Sequence, residues 1–282
     1  MARLLLGKPV ADHLTEATRA AADELASAGT PPCLAIVRVG ERPDDLSYER
    51  GALKRAEKAG VAVHSFVLDA DAATDDVLAV ISQVNADPTI HGCLMFRPLP
   101  RAIDEAAVLA ALDASKDVDG STNGALGSLF TDEKRGFAPC TAAACIELLD
   151  YYDVPLDSAN VVVVGRSMVI GKPVALLALG RNATVTICHS HTADLASVMR
   201  GADIVICATG RAKAYGAECF APGQIVLDVG INVDDEGALC GDVDADAVEP
   251  IVDALTPVPR GIGSVTTAVL MGHVVEAARR AR

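Results

Sequence analysis

Residues 161–173, VVVVGRSMVIGKP, constrain the fold more than any other part of the 282-residue chain. The four consecutive valines predict a strand buried on both faces, as in a parallel sheet. Gly165 suits a tight turn after that strand, and Pro173 suits the first turn of the helix that residues 174–179 continue. Free N–H groups at a helix N-terminus attract anions, so this strand, turn and helix predict an anion site. The spacing from Gly165 to Gly171 is not G-x-G-x-x-G, and an ordinary crossover without a ligand is the alternative.

A second predicted strand, residues 183–188, ends in His189-Ser190-His191-Thr192. In doubly wound nucleotide domains the end of the second strand meets the adenosine ribose, where an acidic residue binds the hydroxyl groups of NAD. This chain has no acidic residue there, and it carries Arg166 on the preceding turn. An arginine and a hydroxyl group suit a 2′-phosphate, so the pattern favours NADP. The alternative is two solvated loop histidines.

Composition limits the fold class and the partners. The chain is 51% hydrophobic but only 3% aromatic and has no Trp, so its core must consist of Ala, Val, Leu and Ile, as in α/β proteins. The net charge of −14 argues against nucleic-acid and membrane-surface partners. Eight cysteines without a C-x-x-C pair predict free thiols in a reducing cytosol and no metal site. We find no signal peptide or apolar run of membrane length, which predicts a cytoplasmic protein.

Helical and strand patterns alternate along the whole chain, which predicts parallel sheets with right-handed crossovers. The predicted strands are residues 34–39, 61–68, 92–96, 161–164, 183–188, 204–207 and 225–229. The predicted helices are residues 9–28, a segment ending at Gly60, and residues 74–85, 103–112, 141–152 and 264–280. Lys116-Asp-Val-Asp-Gly120 lies between two of them as a polar loop.

Several short motifs occur in an order and at spacings that together match a known family. They are Ser47-Tyr48, Pro98-Leu-Pro100, Lys116-Asp-Val-Asp-Gly120, Pro139-Cys-Thr141, the turn from Gly165 to Pro173, Asp228-Val-Gly-Ile-Asn232, Gly241-Asp-Val-Asp244 and Thr256-Pro-Val-Pro259. On these motifs the chain resembles the bifunctional methylenetetrahydrofolate dehydrogenase/methenyltetrahydrofolate cyclohydrolase (FolD) family over essentially its whole length.

The resemblance implies two α/β domains with a cleft between them, the second a Rossmann-like NADP-binding domain. It places the folate domain at residues 1–140, completed by a C-terminal helix at 264–282, and the NADP domain at 141–263. It further implies a homodimer. The family oxidises 5,10-methylenetetrahydrofolate by hydride transfer and then hydrolyses the methenyl product.

Site residues follow from the resemblance position by position. Tyr48 is implied to stack on the folate, and Asp119 to accept hydrogen bonds from the pterin. The residues implied to line NADP are Gly165, Arg166, Ser167, Ser190 and Ile231. Without the resemblance, Tyr48 is an amphipathic-helix residue and Asp119 a turn former.

The chain departs from the family pattern at three positions on the substrate side. The family's helix reads Tyr-x-x-x-Lys, and the lysine that handles the proton in the cyclohydrolase step is Ala52 here. A glutamine that supports this lysine is Phe96, and a glycine beside the substrate is Arg260. Lys54 lies on the opposite helix face from Tyr48, whereas Arg55 returns to the tyrosine's face. Arg55 stays protonated near neutral pH, so it supplies charge but cannot act as a base.

These departures predict an NADP-dependent dehydrogenase whose cyclohydrolase step is impaired or lost. The cofactor carries the chemistry of hydride transfer, so that step survives without the lysine. Two alternatives stay open. One is a related dehydrogenase that uses Arg97 or Arg260 to bind another small anionic substrate. The other is a catalytically idle paralogue that binds nucleotide or pairs with an active subunit.

We expect the protein to bind NADP more tightly than NAD, because Arg166 offers a charge-assisted contact to the 2′-phosphate. Replacing this arginine, Arg166→Ala, should reduce the ratio of the two affinities. Calorimetric titration of both variants with both cofactors measures that ratio. Equal affinity of the unmodified protein for NADP and NAD would refute the prediction.

Overall fold

A computed structural model describes residues 1–131 and 135–282, and within them the chain forms eleven strands and ten helices. The strands are β1 (Arg3–Leu4), β2 (Cys33–Val39), β3 (Ala62–Leu68), β4 (Gly92–Met95), β5 (Asn160–Val164), β6 (Thr184–Cys188), β7 (Ile204–Cys207), β8 (Ile225–Asp228), β9 (Asn232–Val233), β10 (Leu239–Cys240) and β11 (Ala254–Leu255). The helices are α1 (Gly7–Ser27), α2 (Pro43–Ala59), α3 (Thr74–Ala86), α4 (Glu105–Ala111), α5 (Asn123–Thr131), α6 (Cys140–Tyr151), α7 (Gly171–Leu179), α8 (Leu195–Arg200), α9 (Ala245–Val248) and α10 (Thr266–Arg280).

The chain divides into two compact units. The large-sheet unit comprises Met1–Ala11 and Thr141–Thr266, and the small-sheet unit comprises Asp12–Cys140 and Thr267–Arg282. This division differs from the predicted domains at the N-terminus, where residues 1–11 belong with the large sheet. The reason is that β1 pairs in parallel with β11, a contact between residues 251 positions apart that no local pattern signals.

The large-sheet unit contains a six-stranded parallel sheet in the order β6-β5-β7-β8-β11-β1. Strand β5 lies inside the sheet, and all four valines that predicted it are buried. The chain moves from β5 to β6 on one side and then to β7 on the other. The order therefore reverses between β5 and β7, and such a reversal opens a crevice at the carboxyl ends of the strands. Gly165 follows β5 at that edge.

The small-sheet unit contains a three-stranded parallel sheet in the order β3-β2-β4. Strand β2 is central and almost wholly buried. The order reverses between β2 and β4, so Gly40 and Phe96, which follow these strands, lie at the same carboxyl edge. Helix α2, which follows β2, starts beside this reversal. The sheet thus has the same type of crevice as the large one.

The core of each unit consists mainly of aliphatic side chains and thiols. Seven of the eight cysteines are buried, Cys33 is partly buried, and all eight are free thiols, as the sequence predicts. Burial raises the pKa of the Cys93 and Cys145 thiols to about 12, which keeps them protonated. Among the described residues no helix is long and apolar enough to cross a membrane.

The turn after β5 should tolerate no side chain at Gly165. Its φ is +128°, and a Cβ there would lie 2.3 Å from the carbonyl oxygen of Ala208. Gly223 is a matched control, since its φ is +90° but a Cβ there meets nothing within 4 Å. Gly223→Ala should cost about 1–2 kcal/mol from its backbone conformation alone. Gly165→Ala should cost at least about 2 kcal/mol more, because the neighbouring strand end must move. Denaturant unfolding measures both, and equal losses would contradict the prediction.

Candidate active site

Tyr48 and the residues that follow β4 lie together at the carboxyl edge of the small sheet. The Tyr48 ring meets the Phe96 ring edge to face, with centroids 6.0 Å apart and an interplanar angle of 82°. Tyr48 is 45% exposed, whereas Phe96 is buried at 7%. Ala52 lies one turn further along α2 and is fully buried. The structure therefore brings Tyr48 and Phe96 into contact.

A buried ion pair fixes helix α2 against the sheet. The Arg38 Nε atom on β2 donates to Glu49 Oε2 at 2.7 Å, and both side chains are buried. The same guanidinium donates to the Gly40 carbonyl at the start of the connection to α2. Glu49 is the neighbour of Tyr48 in sequence, so this pair sets the position of the tyrosine. Removing either partner would leave a buried charge alone, which is costly.

The Lys116–Gly120 motif is a polar loop that its own hydrogen bonds hold in one conformation. Lys116 Nζ donates to the carbonyl groups of Val84, Asn85 and Asp87, at 2.6, 3.1 and 2.7 Å. Asp117 is buried and accepts the Thr122 N–H at 2.6 Å.

Gly120, which has a positive φ, also fixes the conformation of this loop. Gly120 has a φ of +70°, and a Cβ there would lie 2.5 Å from the Pro139 nitrogen. Within the motif, Asp119 is only partly buried, whereas Asp117 is fully buried.

The Asp119 carboxyl group is partly buried and has an unusual pKa. Burial and the neighbouring charge of Asp117 raise its pKa to about 6, although Arg97 and a hydrogen bond from Ser121 oppose the shift. The Ser121 hydroxyl group donates to Asp119 Oδ2 at 3.2 Å, and Arg97 Nη2 donates to Ser121 Oγ at 2.8 Å. The pKa of the Tyr48 phenol is raised by burial and then by the charge of Asp119, so the phenol stays neutral.

Two further groups support the Asp119 loop from behind. His273 Nδ1 on α10 lies 2.9 Å from the Val118 carbonyl oxygen. The Cys140 thiol lies 3.3 Å from the same oxygen. Burial lowers the pKa of His273 to about 4, so near neutral pH it is a neutral hydrogen-bond donor. Sequence reasoning missed this histidine because α10 is 155 positions away from Val118.

The large-sheet unit carries the predicted nucleotide turn. A Cβ at Gly171 would lie 2.3 Å from the Gly165 carbonyl oxygen, so both glycines allow a close backbone approach. Ser167 Oγ accepts the Ile170 N–H at 3.2 Å and lies 3.5 Å from the Gly171 nitrogen. The turn is thereby closed over the N-terminus of α7. The strand and turn pattern predicts an anion site at this helix end.

The remaining predicted nucleotide residues are exposed around the same carboxyl edge. Val164 and Cys188 are paired at the ends of the neighbouring strands β5 and β6, and Arg166 and Ser190 each follow two residues later in the loops after them. Ile231, after β8, is 67% exposed. It lines a cleft of about 200 Å³ together with Leu239 and residues 257–264. Arg260 also lines this cleft and has a φ of +89°, a left-handed conformation that is rare outside glycine.

A buried carboxylate that sequence reasoning missed holds the loop after β7. Asp242 is fully buried and accepts the Arg211 N–H and the Asn232 side-chain amide, both at 2.9 Å. It also accepts the Thr209 hydroxyl group at 3.0 Å. The sequence shows Asp242 only as part of a motif, with no signal of its partners. Because β5 and β7 flank the strand reversal, this carboxylate fixes one wall of the crevice.

Asp228 forms a second buried carboxylate in the same region. Its oxygens accept the N–H groups of Gly230, Asp242 and Val243 at 3.1, 2.9 and 2.9 Å. Burial nevertheless raises its pKa to about 7. Among the described residues, no group of three or more His, Cys, Asp or Glu side chains is arranged to hold a metal ion.

Comparison with known proteins identifies the family. Residues 5–119 match the model for the tetrahydrofolate dehydrogenase/cyclohydrolase catalytic domain, and residues 139–282 match its NAD(P)-binding domain. The chain is 49% identical to the bifunctional protein FolD of Carboxydothermus hydrogenoformans, over 98% of this chain and 97% of the relative. It is 46% identical to the protein of the same name from Clostridioides difficile, over 98% and 96%.

Solved structures agree with this result. The bifunctional enzyme FolD of Campylobacter jejuni is 34% identical and superposes with a TM-score of 0.95, over 99% of both chains. The FolD of Trypanosoma brucei, complexed with NADP cofactor and an inhibitor, is 31% identical, with a TM-score of 0.91 over 99% of this chain and 98% of that one. The chain therefore belongs to the tetrahydrofolate dehydrogenase/cyclohydrolase (FolD) family.

Proposed function

We propose that the protein oxidises 5,10-methylenetetrahydrofolate to the 5,10-methenyl compound with NADP, and that it has lost most of the cyclohydrolase activity of its family. Family membership supports the first part. The side chains of Ala52 and Phe96, which carry no proton-transfer group, support the second. Eight free thiols support a reducing compartment, and we propose that the protein acts in the cytoplasm. The family resemblance also suggests a homodimer.

The residues of the large-sheet unit fit NADP. Gly165 and Gly171 let the turn pack tightly at the N-terminus of α7, since a Cβ on either would meet backbone atoms, and the N–H groups of such a helix end suit a diphosphate. Arg166 is exposed and suits the 2′-phosphate, and Ser190 offers it a hydroxyl group. When bound, NADP supplies the nicotinamide ring that accepts a hydride from the methylene bridge. The chain's own task is to hold the ring and the substrate in register.

The small-sheet unit carries the proposed folate site. The Asp119 carboxylate accepts hydrogen bonds from N–H groups of the pterin. For this purpose its oxygens must be deprotonated. Its loop is held by Lys116 and Asp117, so the carboxylate is presented in a fixed position. Tyr48 is exposed enough to stack on the substrate ring, and its phenol stays neutral.

The observation that carries the loss of the cyclohydrolase step is the pair formed by Ala52 and Phe96. Both side chains are buried, and Phe96 packs against Tyr48. Neither side chain can move a proton, and neither can orient a group that does. Arg55 is no substitute, because its guanidinium donates to Thr15 Oγ1 at 2.9 Å and lies 4.0 Å from Asp12. General acid–base help is typically worth about 10²- to 10⁴-fold, so hydrolysis should slow by that order.

A different anionic substrate held by Arg97 fits the contacts less well. Arg97 Nη1 lies 3.5 Å from Glu105 Oε1, so part of its charge is already balanced. A turnover assay decides between the two. NADP reduction with 5,10-methylenetetrahydrofolate, at a rate far above that with other small alcohols and amines, supports the proposal. No reduction with the folate would overturn it.

Folate binding should depend on the charge of Asp119. Because its pKa is about 6, the carboxylate that accepts the pterin N–H groups is present above pH 6 and is lost as the pH falls through that value. Affinity for 5-formyltetrahydrofolate, which the enzyme cannot oxidise, should therefore fall about tenfold per pH unit below pH 6. Asp119→Ala should abolish folate binding and leave NADP affinity nearly unchanged. Folate binding by this variant equal to that of the parent would exclude the proposed role of Asp119.

Restoring the proton-handling pair should restore hydrolysis. Ala52→Lys alone should gain little, because the Phe96 ring disfavours a charged ammonium group beside it. The double variant Ala52→Lys with Phe96→Gln should exceed the product of the two single effects by at least about tenfold. Leu53→Lys is the matched control, because Leu53 is partly exposed and on another face. The decay of methenyltetrahydrofolate absorbance, corrected for the uncatalysed rate, measures all four variants. Fast hydrolysis by the unmodified chain would contradict the proposal.

A further inference from the structure

Arg97 lies at the carboxyl edge of the small sheet, directly after Phe96, and is held in place from two sides. Its Nη1 atom is 3.5 Å from Glu105 Oε1, and its Nη2 atom donates to Ser121 Oγ at 2.8 Å. Glu105 is itself fixed, because its other oxygen accepts the Leu99 N–H at 2.8 Å. The side chain of Arg97 is one-quarter exposed. The guanidinium therefore has a defined position.

The direction of the hydrogen bonds from Arg97 to Asp119 is set by chemistry. A guanidinium only donates, so the Ser121 hydroxyl group must accept from Arg97. The single proton of that hydroxyl group then has Asp119 Oδ2, 3.2 Å away, as its acceptor. The result is a chain in which Arg97 donates to Ser121 and Ser121 donates to Asp119. A carboxylate accepts such a bond better than a neutral acid does.

The charged groups around Asp119 determine whether its side chain is ionised, and the Arg97–Ser121–Asp119 hydrogen bonds contribute to that balance. The groups that face Asp119 or its loop are Asp117 in the same loop, Tyr48 on α2, Cys140 at the start of α6, His273 on α10 and Arg97 after β4. Burial and Asp117 favour the protonated acid, whereas Arg97 and the hydrogen bonds from Ser121 and Cys140 favour the carboxylate. The buried methyl group of Ala52 adds no charge.

We propose that Arg97 is a positioning residue that, acting through Ser121, orients the Asp119 side chain and keeps it ionised for the substrate. This inference deepens the proposed function and rests on it for the identity of the substrate. The coupling between Arg97 and Asp119 itself holds for the protein without folate. It assigns a role to a residue that is not among the nucleotide or folate residues described above.

The test compares four variants of the full-length protein. Arg97→Leu removes the charge and the donor, Arg97→Lys keeps the charge, and Ser121→Ala breaks the chain in the middle. Arg101→Leu is the matched control, because it removes an exposed arginine four positions further on. The Asp119 titration is followed by carbon NMR of the labelled carboxyl groups in the absence of folate, with Asp119→Asn used to assign the signal. NADP affinity checks that each variant is folded.

The Asp119 midpoint should rise by about one pH unit in Arg97→Leu, by less in Arg97→Lys and in Ser121→Ala, and not at all in Arg101→Leu. At pH values below the parent's Asp119 midpoint, Arg97→Leu should then bind 5-formyltetrahydrofolate about tenfold more weakly than the parent does. An unchanged midpoint in both Arg97→Leu and Ser121→Ala would overturn the inference. If the parent binds no folate while the midpoint still moves, the proposed function fails and the coupling stands.

Discussion

Parallel strand pairing is the constraint on which both units depend. In each sheet one inner strand, β5 or β2, is followed in the chain by a neighbour on one side and then by a neighbour on the other. The two loops that leave the reversal must diverge, which opens a crevice at the carboxyl edge. Gly165 lies at this edge in the large-sheet unit, and Phe96 and Arg97 lie at it in the small-sheet unit. Residues far apart in sequence thus acquire functional positions from hydrogen bonds between main chains.

Local pattern was sufficient to predict the long elements and insufficient for the contacts between them. Four valines predicted β5, and apolar spacing predicted α1, α2, α3 and α10 to within a few residues. Strands β1 and β11, with two residues each, carry no periodicity. Asp242 was quoted only within a motif, because its donors come from Arg211, Asn232 and Thr209, which spacing cannot bring together. Tyr48 and Asp119 were predicted as site residues only from the family resemblance. Their residue types and spacing alone suit a helix face and a turn.

The exchanges at Ala52 and Phe96 make physical sense together. A lysine at position 52 on a buried face of α2 requires a polar partner, because an unpaired ammonium group loses its hydration there. A phenylalanine at position 96 cannot supply one. Conversely, an alanine at position 52 leaves space that a buried aromatic ring can share. Phe96 packs edge to face on Tyr48, an arrangement that stabilises aromatic pairs by about 0.5–1.5 kcal/mol. Either exchange alone would leave a buried charge or a void.

A site without a proton-transfer group can still support hydride transfer, because hydrolysis and oxidation require different groups in that site. Hydrolysis needs a group that gives and takes a proton beside the methenyl carbon. Oxidation needs the folate held still, and we propose that the contacts that hold it belong to the Asp119 loop. Lys116 and Gly120 fix that loop without any contribution from position 52. Arg97, which follows Phe96 directly, places positive charge on the Asp119 side of the site through Ser121. This edge therefore carries a cation at Arg97 and none at position 52, and in the proposed function that cation serves binding rather than proton transfer.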